Sequence, residues 1–372
     1  MRTLMVKACR WVLCALLAGV GATHSTAAAP SEDWQQVVVG KEFAPAPDQG
    51  VEDRPWWQLL PDTRTNGFWL FRTWYRSGTE WVGVLYDAEG KPIVGPMALP
   101  TEAQRESRGA WGPKAVTVDA LGNIHAAYVR ASDVEAFYSA PEGSRAQPLH
   151  RLVACDRSGR MISLVDVRGA PDPPRFIMGM VVLPDGSRAL SWEREFAREA
   201  WLELQCPDGE VRWRIRPYMS WRGGMSVDWR TGRLLVQHPA ARDDRALIVA
   251  YDIGTGKRAA GHQLRPQGGL LGSDHKGRLY TIGGAGLDRP TECWVRSFDA
   301  DGRPLRWAPL PALTTSRETC WSFAVSARGD AFAWDVIAQG DVVVWRLPAG
   351  RLIEARGKER LEPMQKGGAA GR

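Results

Sequence analysis

Residues 246–257 of the sequence read Ala-Leu-Ile-Val-Ala-Tyr-Asp-Ile-Gly-Thr-Gly-Lys. Six apolar or aromatic residues lead directly into an Asp and a Gly, which is the pattern of a short buried strand that ends in a tight turn. Asp accepts hydrogen bonds from the backbone just beyond it, and Gly adopts the positive φ that such a turn needs. The stretch therefore predicts one strand and one hairpin of a small antiparallel sheet.

The same kind of turn recurs along the chain in two alternating families. The first family ends at Gly90, Gly159, Gly209, Gly256, Gly302 and Gly350. The second family lies between them, at Gly67, Gly122, Gly186, Gly232, Gly277 and Gly329. Neighbouring glycines of one family are 45 to 69 residues apart. Two hairpins in each unit of about 50 residues, six times over, predict an all-β chain: a six-bladed β-propeller of four-stranded antiparallel blades.

Two of these stretches resemble repeats of known propeller families. Residues 246–257 are similar to the blade repeats of quinoprotein-like propellers, and residues 119–125 (Asp-Ala-Leu-Gly-Asn-Ile-His) are similar to an NHL-type repeat. The resemblance covers roughly residues 50 to 356 and is at the level of the superfamily. The matching residues build turns, so the resemblance implies the scaffold and says little about activity.

The remaining segments give the domain boundaries. Residues 1–29 read as a signal peptide, with a basic start, an uncharged stretch and a small-residue run (Ser-Thr-Ala-Ala-Ala) at its end. Residues 30–50 form an N-terminal segment in which Trp34 to Phe43 predicts an extra strand that could pair with the last blade and close the ring. The propeller spans 51–356, and we expect the Gly/Ala-rich tail, 357–372, to be unstructured.

The composition fits an exported globular protein. The formal net charge is +6. Removal of the signal segment, with its two arginines and one lysine, leaves a small excess that does not favour nucleic-acid binding. No stretch approaches the roughly 20 apolar residues of a membrane-spanning helix. We therefore expect a periplasmic or secreted protein without a membrane span, whose oligomeric state the sequence leaves open.

Four cysteines follow the signal segment, and none of them belongs to a CxxC or Cys/His metal motif. Cys293 and Cys320 fall toward the same face of neighbouring blades, so we predict a disulfide between them. Cys155 and Cys206 occupy equivalent strands of adjacent blades, which lie about 10 Å apart. That separation exceeds the Cα distance that a disulfide tolerates, so we predict that these two cysteines are unbridged.

An arginine stands just before each predicted inner strand. In a propeller blade the tight turns share one face and the longer connections share the other, which we call the long-connection face. Arginine binds carboxylate and phosphate, and aromatic rings offer stacking surfaces. The predicted ligand-binding residues are Arg54, Arg108, Arg175, Arg222, Arg317, Trp111, Trp221 and Trp321. In the alternative interpretation, the arginines pair with acidic neighbours such as Glu52 and Glu106 while the tryptophans wedge between blades. We predict that most other tryptophans lie in the core.

The sequence predicts no cofactor and no metal, and it leaves any catalytic residues unidentified. Six-bladed lactonases that resemble gluconolactonase bind a divalent cation through axial carboxylates and amides, but the predicted inner strands contain almost none. The histidines are scattered and read as structural. Glu193 and Glu195 are the best acidic candidates, although nearby Arg194 and Arg198 fit a salt-linked surface equally well.

These observations favour a non-catalytic binding module whose long-connection face receives a protein, peptide or acidic glycan. No GxSxG, HExxH or Walker-type motif is present. The alternative is an envelope hydrolase, lactonase or lyase that uses the same face. A quinone-dependent oxidoreductase is a third and weaker possibility.

Overall fold

The computed structural model of the protein describes residues 33–43, 55–74, 81–99, 111–141, 144–168, 176–193, 200–215, 224–238, 247–264, 269–283, 294–299, 302–311, 323–336 and 342–354. The backbone of these segments forms six antiparallel sheets. The first strand, β1 (Gln35–Val39), precedes the repeats. Each sheet is one blade of a propeller.

In the first three blades, four strands follow one another along the chain. Blade 1 consists of β2 (Pro55–Pro61), β3 (Phe68–Trp74), β4 (Val82–Tyr86) and β5 (Pro92–Ala98). Blade 2 consists of β6 (Trp111–Val118), β7 (Ile124–Arg130), β8 (Leu149–Cys155) and β9 (Met161–Arg168). Blade 3 consists of β10 (Phe176–Val182), β11 (Arg188–Glu193), β12 (Ala200–Gln205) and β13 (Val211–Ile215).

The last three blades repeat this plan until the ring closes. Blade 4 consists of β14 (Met225–Asp228), β15 (Arg233–His238), β16 (Leu247–Tyr251) and β17 (Arg258–Leu264). Blade 5 consists of β18 (Gly269–Ser273), β19 (Leu279–Gly283), β20 (Trp294–Phe298) and β21 (Pro304–Pro309). Blade 6 consists of β22 (Phe323–Val325), β23 (Ala331–Val336) and β24 (Val342–Leu347), with β1 as its outermost strand.

The inner strand of each blade contacts the inner strands of both neighbours, and β22 of blade 6 contacts β2 of blade 1. The ring is therefore closed, and the predicted six-bladed β-propeller is confirmed. Six clusters of buried apolar side chains fill the six interfaces between consecutive blades. The likeness of residues 119–125 to NHL-type repeats remains a resemblance.

The N-terminal strand closes the ring as predicted. β1 pairs antiparallel with β24, and Val37 lies opposite Val344. The segment around β1 is also tied to other blades, because the Trp34 indole N–H donates to the carbonyl of Pro309 at 2.9 Å. The Tyr86 hydroxyl of blade 1 donates to Glu42 at 2.5 Å and accepts from the backbone N–H of Gly40 at 3.2 Å.

The predicted hairpin at Gly350 is wrong. Because β1 already occupies the outer edge of blade 6, the chain has no fourth strand to form there. Gly350 instead lies in a 3₁₀ turn, Ala349–Arg351. The chain then continues into a short strand, β25 (Ile353–Glu354), which pairs with β21 and gives blade 5 a fifth strand.

Ten of the twelve predicted turn glycines have positive φ. The turns are held as expected: Asp119, for example, accepts hydrogen bonds from the backbone N–H groups of Leu121 and Asn123 at 2.8 Å each. Gly67 does not have a positive φ. A glycine is required there for a steric reason, because a Cβ would come within 2.0 Å of the Tyr86 carbonyl oxygen.

One helix was not predicted. The helix α1 (Ala131–Ser139) lies in the connection between β7 and β8, on the long-connection face. Its Arg130 N-cap makes no side-chain capping bond, and only Phe137 of the helix is buried. With nine residues and neither a capping residue nor a wide apolar face, the segment carries no helix signal in the sequence.

The prediction of core tryptophans holds for Trp69, Trp192, Trp334 and Trp345, which are buried. It is wrong for Trp307, which is 40% exposed on the outer strand of blade 5 and lies opposite Ile353 of β25. Outer strands face solvent on their far edge, so a large side chain there is only partly covered.

Candidate functional site: the central channel

The six inner strands surround a cavity of about 370 Å³ on the propeller axis. Most of its described lining is apolar or small, and it includes Trp56, Met178, Met225, Leu271, Phe323 and Ala324. The amide of Gln58 also lines the cavity and donates to the Val116 carbonyl at 3.4 Å, between blades 1 and 2. The channel is therefore a mainly apolar pocket with a few polar groups.

Three inner strands carry a β-bulge, at the same distance from the following turn in β6 and β10 and two residues closer to that turn in β18. In β6, Pro113 and Ala115 face consecutive residues of β7, which leaves Lys114 as the extra residue. The pairing skips Met178 in β10 and Leu271 in β18 in the same way. All three extra residues line the cavity. Because a bulge re-aims the side chain that it inserts, this pattern directs Lys114, Met178 and Leu271 toward the axis.

Lys114 is the one charged side chain among the lining residues that the structure describes. Its Nζ lies 4.9 Å from the ring centroid of Phe176, the first residue of the next inner strand. A cation over an aromatic face is held electrostatically by the ring quadrupole. Lys114 thus places a positive charge inside the channel, near the long-connection end where the inner strands begin.

Aromatic side chains surround Phe176 at this end of the channel. Phe137 of α1 meets its ring edge-on at 4.9 Å. Tyr138, 52% exposed, lies nearly parallel to it at 6.4 Å. The ring of His150 packs against Trp192 of blade 3 at 5.1 Å. Together these rings form an aromatic rim between blades 2 and 3.

His150 is a structural histidine. It is fully buried. Its Nδ1 donates to the Pro148 carbonyl at 3.2 Å, and its Nε2 accepts from the backbone N–H of Ile177 at 3.3 Å. Burial and, to a smaller extent, the positive charge of Lys114 together lower the pKa of His150 to about 3, against the opposing effect of the Pro148 hydrogen bond. The imidazole is therefore neutral at physiological pH. Among the other histidines, His125 binds Asp119 and His238 binds the Tyr251 hydroxyl, each at 3.0 Å.

Glu193 is the carboxyl with the most unusual surroundings. It ends β11 on the long-connection side and is only 3% exposed. The Ser191 hydroxyl donates to its Oε1 at 2.9 Å, while its Oε2 is buried and has no hydrogen-bond partner. Burial raises the pKa of Glu193 to about 7, against the opposing effect of the Ser191 hydrogen bond. Of the two interpretations that the sequence left open, a salt-linked surface does not describe the buried Glu193; Glu195, Arg194 and Arg198 lie outside the described residues.

Most predicted ligand-binding residues lie outside the described segments: Arg54, Arg108, Arg175, Arg222, Arg317, Trp221 and Trp321. Trp111 is described and is 4% exposed, in the cluster between blades 1 and 2. The guanidinium of Arg151 covers its ring at 4.1 Å and also binds Asp166. This position matches the wedge interpretation, and a ligand role for Trp111 remains a prediction.

The predicted Cys293–Cys320 disulfide also lies outside the described segments. Cys155 and Cys206 are free thiols, as predicted. Burial raises the pKa of Cys155 to about 11, so its thiol is unreactive at neutral pH. Within the described segments, no group of three His, Cys, Asp or Glu side chains is arranged to hold a metal ion, and no helix there has the length and apolarity of a membrane span.

The sequence matches no protein-family model and no curated protein. Solved structures with a similar fold include a protein of unknown function from Dyadobacter fermentans (10% identity, 85% of this chain and 100% of that chain, TM-score 0.49). Another is an oligogalacturonate lyase from Vibrio parahaemolyticus (12%, 82% and 80%, 0.47). A third is regucalcin, a calcium-binding protein from Agrobacterium tumefaciens (13%, 82% and 92%, 0.42). The likeness is one of fold, and what this chain binds has to be argued from its own channel.

Proposed function

We propose that this protein is an exported, non-catalytic propeller that binds an anionic group of a protein, peptide or acidic glycan at its long-connection face. The proposal is argued from the bulge at Lys114, the one charged residue among the described residues that line the channel. A bulge next to a binding site is a common way of re-aiming one side chain. The predicted signal segment supports export to the periplasm or beyond.

The surroundings of Lys114 favour an anion. Apolar walls lower the local dielectric constant, so a charge pair formed inside the channel is stronger than the same pair in water. Met178 and Met225 add adaptable apolar contacts, because methionine is flexible and polarisable. One charge, a few uncharged polar groups and mainly apolar walls are the usual composition of a small ligand pocket.

The size of the channel limits what enters it. A cavity of about 370 Å³ is at the small end of ligand pockets, which span roughly 300 to 1,000 Å³. We therefore expect one end group of the ligand to occupy the channel. The rest of a glycan or peptide would lie across the long-connection face.

Isothermal titration of the purified protein with acidic oligosaccharides and acidic peptides tests this proposal. We expect one class to bind and the K114Q variant to bind it at least about tenfold more weakly, which corresponds to the loss of roughly one charge-assisted contact. The matched control is K91Q, since Lys91 is exposed after a tight turn on the opposite face. Equal affinity of K114Q and the parent protein would overturn the binding site, and turnover of the ligand would overturn the non-catalytic assignment in favour of a hydrolase, lactonase or lyase.

A further inference from the structure

We infer that Glu193 forms a second subsite beside the channel, where its free Oε2 accepts a hydrogen bond from an N–H or O–H group of the ligand whose anionic group binds Lys114. This inference rests on the proposed function and adds to it that the ligand carries a donor as well as an anion. The carboxylate and the lysine flank the same residue: Glu193 pairs with Phe176 in the sheet, and Lys114 lies over the Phe176 ring.

The first support is the unsatisfied oxygen itself. Buried polar atoms in folded proteins almost always have a hydrogen-bond partner, and an exception calls for an explanation. Glu203, another buried carboxylate of blade 3, shows the usual situation: Gln205 donates to its Oε1 at 2.6 Å and Arg214 donates to its Oε2. In Glu193, by contrast, Oε1 accepts a hydrogen bond from Ser191 and Oε2 accepts none.

The second support is the route from the channel. Side chains alternate along a strand, and Ala189 belongs to the cluster between blades 3 and 4. Ser191 and Glu193 therefore face blade 4. Opposite Ser191 in the sheet is Gly179, which lines the cavity and has no side chain. A Cβ at Gly179 would lie 3.6 Å from Ser191 Cβ and 3.2 Å from the Met225 methyl group.

Met225, across the interface in blade 4, adjoins Gly179 and also lines the cavity. Because methionine has several rotatable bonds and no branch, its end group moves aside more easily than that of a branched residue. Across the interface, the side chains of His238 and Tyr251 in blade 4 face blade 3 and are hydrogen-bonded to each other. Lys114 lies on the blade 2 side of Phe176, whereas Glu193 faces blade 4.

The route is tested first, with dicyclohexylcarbodiimide as the probe. A protonated carboxyl adds to this apolar reagent and, after acyl migration, retains the whole reagent as an N-acylurea, so the product is found by peptide mass mapping. We expect labelling of Glu193 near pH 6, no labelling of Glu203, and faster labelling of Glu193 in M225A. Labelling of exposed carboxyls while Glu193 stays unmodified in both proteins would overturn the inference.

Binding is tested next, with ω-amino carboxylates of two to six carbons and the unsubstituted carboxylates of the same lengths. For at least one length we expect the amine to improve the dissociation constant by about tenfold in the parent protein and in E210Q, a control at an exposed turn. The improvement should vanish in E193Q. The ω-hydroxy carboxylates show whether an uncharged donor suffices. Loss of all binding in K114Q with an unchanged amine preference in E193Q would refute the subsite alone, whereas equal binding by K114Q and the parent would refute the proposed function.

Discussion

The Nε2 atom of His150 accepts a hydrogen bond at 3.3 Å from the backbone N–H of Ile177, and this bond joins the third strand of blade 2 to the inner strand of blade 3. Only the neutral imidazole has a free lone pair to accept it. The same Ile177 stands immediately before the bulge that directs Met178 into the channel. The protonation state of one buried histidine is therefore tied to the geometry of the candidate site.

Acid should weaken the fold through His150. Its pKa is about 3 in the folded protein and 6.5 when unperturbed, so below pH 6.5 the unfolded chain takes up a proton that the folded chain does not. The stability that the neutral histidine contributes is complete above pH 6.5 and is lost as the pH falls toward 3, with a loss of about 2 kcal/mol by pH 5. Glu193 titrates with the opposite sign over the same pH range in both proteins, so the loss appears as a difference between them: in urea unfolding, H150Q should gain about 2 kcal/mol relative to the parent as the pH falls from 7 to 5. Parallel curves for the two proteins would contradict the assignment.

Glu193 should act in the opposite direction. Its pKa is about 7 in the folded protein against a reference of 4.5, so between these values the unfolded chain has already released a proton that the folded chain keeps. The stability that the protonated Glu193 carboxyl contributes to the folded protein is complete below pH 4.5 and is lost as the pH rises through 7. E193Q removes this penalty and should be more stable than the parent at pH 8 by up to roughly 3 kcal/mol. The same urea series measures it, and an E193Q protein that is less stable at pH 8 would contradict the assignment.

Removal of the Tyr86 hydroxyl should loosen the closing segment. Y86F leaves Glu42 and the Gly40 N–H without their partner, and an unmet buried group costs about 1 to 3 kcal/mol. Hydrogen exchange should then become faster at the β1 amides paired with β24. Y138F is the matched control, because Tyr138 is half exposed and contacts its neighbours through the ring. A Y86F protein with parent-like exchange at β1 would show that the hydroxyl does not hold this segment.

Two turn glycines separate backbone strain from steric conflict. Both Gly232 and Gly329 have positive φ, but a Cβ meets nothing within 4 Å at Gly232 and lies 2.3 Å from the Tyr280 hydroxyl at Gly329. G232A should lose about 1 to 2 kcal/mol from the left-handed conformation alone. G329A should lose clearly more, because it also displaces a hydroxyl that binds Asp274 at 3.0 Å. Urea unfolding gives both values, and equal losses would contradict this account.

The fold could be predicted from the sequence because its information is local and repeated. An Asp and a Gly after each apolar run encode a turn wherever they occur, so six repeats gave the blade number and Trp34 to Phe43 gave the closing strand. The predicted hairpin at Gly350 was wrong because the outer partner of β24 is β1, which is about 300 residues earlier in the chain. A turn motif specifies only local chain reversal and cannot specify this distant pairing.

The channel site was harder to predict for physical reasons. Pairing register between strands decides the bulges, and a lysine inside an apolar run reads as an exposed residue. One available signal was Gly179 after Met178 and Gly272 after Leu271, since a glycine within a strand often marks a bulge. Glu193 was recognised as an acidic candidate, but its burial depends on packing between blades 3 and 4.

Methionine methyl NMR can detect a ligand in the channel directly, because Met178 and Met225 line the channel while buried Met97 lies between blades 1 and 2. Protein labelled with ¹³C at the methionine methyl groups is titrated with the acidic oligosaccharides and peptides. We predict saturable shifts at Met178 and Met225, none at Met97, and loss of these shifts in K114Q. Binding that leaves Met178 and Met225 unshifted, or shifts that persist unchanged in K114Q, would contradict a ligand site at Lys114.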